Sequence, residues 1–305
     1  MEDKKSNNLI IGCMCALGCE IFFGLSYVFT KQATDSASEL SLLGWRFLLA
    51  FIVMTILILL GIVKINLKGK PIKNVLLVAL FSPVIYFIGE TIGISNTTAS
   101  ESGVFLACIP VASLAASTLI LHKKPSKIQV IGILITLMGV IVTVLVVGIE
   151  SSLSIIGYLF LLIAVVSYAL YSVFVEKAFD YTGIEITYVM LTAGAIVFTI
   201  LAIVESSVKG NVNVLISLPI RNSDFLIAIL YQGIGCSIIA FFLSNMAIAK
   251  IGVNRTSSFI GVSTVVSIIS GALLLRESFS IYQIIGAIII IVGVYVSNTN
   301  NIEVS

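Results

Sequence analysis

The sequence predicts an all-α integral membrane protein with ten transmembrane helices arranged as two inverted five-helix repeats. Three observations carry this. Of the 305 residues, 59% are hydrophobic and only 10% are charged, against about 45–50% and about 25% in soluble domains. A soluble fold of this size would lack the charge to cover its surface. The apolar residues fall into ten runs of roughly the 20 residues that a helix needs to cross a bilayer core. Finally, the chain aligns with itself when it is shifted by about half its length.

The ten spans are expected at 9–30, 41–63, 73–94, 99–121, 128–148, 154–175, 186–204, 224–248, 256–275 and 280–297. Basic clusters punctuate them. Lys64, Lys68, Lys70 and Lys73 bracket Pro71 between the second and third spans, and His122, Lys123, Lys124, Pro125 and Lys127 separate the fourth and fifth. The run Val130–Val147 holds no charge. An outer-membrane barrel would show short alternating strands instead of continuous runs. The first span follows Lys4 and Lys5, but no convincing small-x-small cleavage site precedes Glu20 and the apolar run continues past it, so a retained helix is expected rather than a signal peptide.

All five cysteines (Cys13, Cys15, Cys19, Cys108 and Cys236) lie in predicted spans, and their number is odd, which argues against a disulfide framework. Cys15 and Cys19 share a helix face, but zinc wants three or four ligands and no others are adjacent. The only histidine, His122, sits in a basic loop. No GxxxxGK[ST], HExxH or GxSxG pattern occurs, so the chain shows no ATP-driven engine and no hydrolase signature. No metal or cofactor is expected.

Lysine and arginine in short loops set orientation. With the N-terminus inside, twelve basic residues lie on the cytoplasmic side: Lys4, Lys5, Lys64, Lys68, Lys70, Lys73, Lys123, Lys124, Lys127, Lys177, Lys250 and Arg255. Four lie outside, namely Lys31, Lys209, Arg221 and Arg276, and Arg46 is intramembrane. Both termini are therefore expected in the cytoplasm. Topology accounts for the basic loops, so nucleic acid is not implied.

Shifted by 154, Gln129 meets Gln283, Gly132 meets Gly286 and Gly139 meets Gly293. Shifted by 145, Val28 and Phe29 meet Val173 and Phe174, and Ala33 and Asp35 meet Ala178 and Asp180. The offset changes because the loop around Val208–Asn222 is longer in the second half. The repeats span 1–148 and 149–305. Five is odd, so the second copy enters the membrane from the opposite side, and inverted repeats are a transporter signature. The paired glycines lie seven apart on one face, where small residues let helices approach closely. Two readings stand for them: packing at the outside of the bundle, and a contact in a homodimer.

The stretches Phe23–Lys31, Trp45-Arg46-Phe47, Glu90–Ser100 with Pro110, Pro125…Gln129-x-x-Gly132-x6-Gly139 and Glu277…Gln283-x-x-Gly286-x6-Gly293 together resemble the ten-helix EamA-type branch of the drug/metabolite transporter superfamily. The resemblance covers roughly 10–297. Two positions depart from its pattern. Lys123 stands where the family often has an acid before the fifth helix, and Thr264 matches Pro110 where the ninth helix often has proline. The resemblance implies export of amino acids, metabolites or toxic organic compounds.

A charge at the bilayer centre costs at least about 2.5–3.5 kcal/mol, so such residues face a cavity or a partner. Glu20 lies near mid-span, with Phe23, Tyr27 and Lys31 along one face. It reads either as a lining that meets a cation or proton, or as a buried acid paired to a hydroxyl or helix dipole. Glu90, one turn after Tyr86 and Phe87, has the same two readings. Glu101 reads as a helix-start acid or as an ion-pair partner. Arg46 can snorkel outward or pair with Glu90 or Glu101 at a cavity mouth. Tyr168 and Tyr171 in the sixth span, Tyr231, Phe242 and Asn245 in the eighth, and Thr256, Ser263, Ser267 and Ser270 in the ninth complete the candidate cavity. The hydroxyl stripe suits a wet path or interhelical hydrogen bonds. Aromatics beside an acid can hold an organic cation, and they also simply pack. Pro83 and Pro110 interrupt the helical ladder.

These residues point to a secondary transporter that works by alternating access on a small-molecule substrate in a cell membrane, with protons as a candidate coupling ion, and not to an enzyme. An importer of an organic cation or amino acid, a non-transporting receptor or scaffold, and a channel are the competing readings.

Overall fold

In a computed structural model the chain is described at residues 2–34, 36–96, 105–145, 154–275 and 280–299. Every described regular element is helical, as lipid demands of a backbone that must satisfy its own hydrogen bonds. The ten passages follow in order. The first is Glu2–Thr34 and the second Glu39–Leu59. The third is Ile72–Ala79, Leu80–Ile85 and Tyr86–Ser95 in succession. The fourth is Phe105–Leu121, the fifth Lys127–Leu145, the sixth Ile155–Lys177 and the seventh Gly183–Val208. The eighth is Ser223–Ser258, the ninth Gly261–Leu275 and the tenth Ile281–Thr299.

Local chemistry sets the boundaries. Ser38 opens the second passage by accepting from the Ser41 amide, and Asn222 opens the eighth by accepting from Phe225. Thr182 and Glu185 form a reciprocal capping box at the start of the seventh. His122, in the left-handed conformation (φ 56°), ends the fourth. The second passage stops at Leu59 rather than at 63, because Gly61 (φ 73°) turns the chain. The longer loop expected before the eighth passage is instead a short helix, Val212–Arg221, which buries Leu215 and Leu218. The Trp45 indole donates to the Leu215 carbonyl at 2.9 Å.

The packing carries the two-fold relation of inverted repeats. The fifth passage lies along the tenth and the second along the seventh, the two pairings that such symmetry maps onto themselves. The first packs on the eighth and ninth, and its counterpart, the sixth, packs on the third and fourth. The fifth–tenth pair closes through glycine. A Cβ at Gly132 would lie 2.6 Å from Ser297 Cα, one at Gly139 2.7 Å from the Ile290 amide nitrogen, and one at Gly293 2.7 Å from the Gly132 carbonyl. Buried Gly286 supplies the carbonyl that a Cβ on Gly139 would meet at 2.8 Å. These glycines are therefore used within the chain. The second–seventh pair is held at both ends: Glu185 accepts from Lys70 and from the Asn66 amide, and Glu205 from Lys209 and Ser38.

Candidate functional site

The third and eighth passages both lose regular α-helix at mid-membrane. Ser82, before Pro83, leaves helical geometry (φ −142°, ψ 122°) inside Leu80–Ile85, and Tyr231–Ala240 winds as a π-helix. Pro110 instead sits in the first turn of a helix that starts at Ile109, where proline is tolerated. The two interruptions flank a polar seam between the halves.

Arg46 lies in that seam and does not snorkel; it is 5% exposed. Its Nε donates to Ser237 Oγ at 2.7 Å and its Nη1 to Gln232 Oε1 at 3.4 Å. Nη2 is buried without a hydrogen-bond partner among the described residues. The guanidinium stands 4.9 Å from the Phe87 ring centroid and 5.3 Å from that of Phe47, which offsets part of its desolvation. Glu90 lies near enough to act on it electrostatically, though not as a direct ion pair among the described residues. The Tyr86 hydroxyl donates to Glu90 Oε1 at 2.7 Å.

An aromatic line runs inward from this cluster. The Tyr86 ring meets Tyr168 edge-on at 5.7 Å, and Tyr168 meets Tyr171 at 5.4 Å. Glu20 is 5% exposed, with Tyr168 close enough to feel its charge; the nearby Ser263 hydroxyl donates to the Ile260 carbonyl at 2.6 Å. Phe23 packs on Phe241 beside it, at 6.1 Å. The structure thus brings Glu20, Phe23, Glu90, Tyr86, Tyr168, Ser263 and Arg46 around one seam.

Other expected lining residues sit elsewhere. Tyr171 donates to Asn245 Oδ1 at 2.8 Å, while Asn245 Nδ2 donates to Thr187 at 3.1 Å. These bonds make a buried joint between the sixth, seventh and eighth passages at the end of the aromatic line. Tyr231 stacks on Phe29 at 4.2 Å and donates to the Phe22 carbonyl, so it packs the eighth passage on the first. Ser267 donates to the Gly24 carbonyl at 2.9 Å, an interhelical bond, while Ser270 and Thr256 bond within their own helix. The Tyr27 side chain and Glu101 lie outside the described residues. Gln232 and Ser237, which hold Arg46, were not among the expected residues. Five apart, they diverge on an α-helical wheel, and only the π-helix, with its i to i+5 bonding, brings them to one side. Among the described residues no three His, Cys, Asp or Glu side chains group as a metal site.

The model of the EamA-like transporter family matches residues 10–145 and again 155–299. The chain belongs to the EamA-like transporter family. Relatives agree. The uncharacterized transporter YcxC of Bacillus subtilis is 32% identical, over 94% of this chain and 92% of its own. An uncharacterized transporter of Archaeoglobus fulgidus is 23% identical, over 90% and 94% respectively. A solved crystal structure superposes with a TM-score of 0.74 at 18% identity, covering 95% of this chain and 97% of the other, and it shares the fold. This EamA-type chain is a multi-pass membrane transporter, and its seam lies between the two segments that the family model matches.

Proposed function

We propose that this EamA-type chain is a secondary-active transporter that exports small organic solutes from the cell by alternating access, coupled to protons. The observation that carries the reading is the pair of intramembrane acids, Glu20 and Glu90, facing a shared aromatic seam with the buried Arg46. Acids at this depth are costly unless they bind or move charge. One seam with both signs and tyrosine walls suits solutes that combine polar and apolar parts. The loop-charge bias supports a plasma-membrane orientation with both termini in the cytoplasm; the end carrying most lysines is called the basic end below. Export rests on the family, since an inverted-repeat fold has no intrinsic direction.

The test has two stages. Purified protein is first screened by thermal shift against amino acids, quaternary amines and nucleosides. The stabilising solute is then followed in proteoliposomes under an imposed pH gradient. The Glu20→Gln/Glu90→Gln double variant is expected to lose gradient-driven flux. Unchanged gradient-driven transport in that variant refutes proton coupling through these acids, and uptake rather than release in oriented vesicles selects an importer.

A further inference from the structure

Glu176 ends the sixth passage at the basic end, and its carboxylate joins three elements. Lys123, in the link between the fourth and fifth passages, donates to Oε1. The Val253 amide, just past the break at Gly252 in the eighth passage, donates to Oε2 at 2.9 Å. Two backbone features aim these donors. His122, in the left-handed region, turns Lys123 off the end of the fourth helix. Gly252 (φ 77°, ψ 168°) frees the Val253 amide from the helical ladder; a Cβ there would reach 3.5 Å from Glu176 Oε2 and would be strained in any case.

We propose that the Glu176 carboxylate is the latch that holds the seam shut at the basic end, and that its release from Lys123 and Val253 is the gating step of transport. The inference rests on the alternating-access reading above. Three observations separate this contact from an ordinary staple. The bonds of Glu185 to Lys70 and of Glu205 to Ser38 act at both ends of one pair, the second and seventh passages, and so favour neither end. Glu176 acts at one end only and ties together parts of both halves. The eighth passage also packs on the fourth and sixth, whereas the symmetry-related contacts of the third passage with the ninth and first have no comparable counterpart among the described residues. Among the described residues the seam is therefore closed on the side where Glu176 stands. The ion pair is also built to open: the Lys123 side chain is 59% exposed and that of Glu176 14%, and a partly exposed pair is weak and screened.

The sequence gives the latch a counterpart of reversed charge. Shifted by 154, Lys123 meets Glu277; shifted by 145, Lys31 meets Glu176. The side chains of Lys31 and Glu277 lie outside the described residues, so the proposal concerns the basic end alone. It also accounts for Lys123 standing where the family often has an acid: its partner here is acidic.

The experiment reads conformation rather than transport, so it stands apart from the success or failure of proton coupling. In a background whose five cysteines are replaced, Ser172→Cys reports from one turn behind Glu176, and Thr30→Cys from the opposite half of the first passage. Both are labelled with a membrane-impermeant maleimide, in sealed right-side-out and inside-out vesicles. Glu176→Gln and Lys123→Glu are each expected to speed labelling at position 172 from the basic end by about tenfold, while slowing it at position 30. The swap Lys123→Glu/Glu176→Lys restores the ion pair but not the acceptor for the Val253 amide, and is expected to bring both rates part of the way back toward the parent. Where both positions label faster in the single variants, the swap decides: rates that fall back toward the parent support the latch, and rates that stay high overturn it. Unchanged labelling in Glu176→Gln, or a swap no better than the single variants, overturns the proposal. A wrong orientation would only exchange the two vesicle types.

Discussion

The Tyr86 hydroxyl donates to Glu90 Oε1 at 2.7 Å, one helical turn away on the same passage and beside the Arg46 guanidinium. This bond fixes the carboxyl against the aromatic wall rather than leaving it free to turn to lipid. Tyr86→Phe removes the donor and keeps the ring. A hydrogen bond to a charged group is worth about 1.5–3 kcal/mol, so the melting temperature is expected to fall by a few degrees and, because the carboxyl is no longer held at the seam, transport efficiency to fall roughly tenfold or more. Initial-rate flux in proteoliposomes, alongside a melting curve of the same preparation, checks both parts.

Arg46 separates stability from function. Among the described residues Arg46 is a buried cation with no direct ion pair, which is a cost to the fold, and replacing buried charge by apolar volume is often neutral or stabilising. Arg46→Met is expected to abolish transport while leaving the melting temperature equal to or above that of the parent. A fall of many degrees would make Arg46 a structural brace.

Asn245 is expected to behave in the opposite way. Asn245→Ala removes the 2.8 Å acceptor of the Tyr171 hydroxyl and the donor to Thr187 in a buried joint, leaving Tyr171 its 3.2 Å bond to Ser244 and Thr187 its bond to the Gly183 carbonyl; two lost hydrogen bonds at about 0.5–1.5 kcal/mol each lower the stability. The melting temperature should drop clearly. Tyr171→Phe should cost less, because the Asn245 amide keeps its bond to Thr187. Thermal melts of the two variants and the double variant, read as a cycle, test the coupling.

The fifth–tenth pair should tolerate no side chain. Gly139→Val would put a Cβ 2.7 Å from the backbone nitrogen of Ile290, which cannot move as a rotamer can. Overpacking costs about 1–3 kcal/mol, so detergent-solubilised protein should lose thermal stability and monodispersity on size exclusion. Alanine at exposed Met138 on the same helix is the control and should change neither.

Hydropathy made the ten passages legible because the bilayer imposes one length and one composition on every helix. The glycines at 132, 139, 286 and 293 were legible because close packing leaves a spacing behind. Glu20, Glu90 and Arg46 stood out because charge in lipid is rare. Residues that depend on broken helix were not legible. Gln232 and Ser237 reach Arg46 only through the π-helical turn, and nothing in Tyr231–Ala240 resembles the proline that interrupts the third passage. Tyr231 and Asn245 share a face with a plausible lining, yet a helical wheel does not say whether that face meets the seam or another helix. The Val212–Arg221 helix hid in a stretch read as a loop, because its pattern is amphipathic and short.

The glycine contact between the fifth and tenth passages also bears on how the chain is made. The fifth helix leaves the ribosome about 150 residues before the partner that its narrow face fits. During that interval, lipid or the insertion machinery must cover a groove shaped for another backbone. The pair can be sealed only once the Ile281–Thr299 helix has been made, so nascent chains halted before Ile281 should be inserted yet unsealed, and open to quality-control proteases.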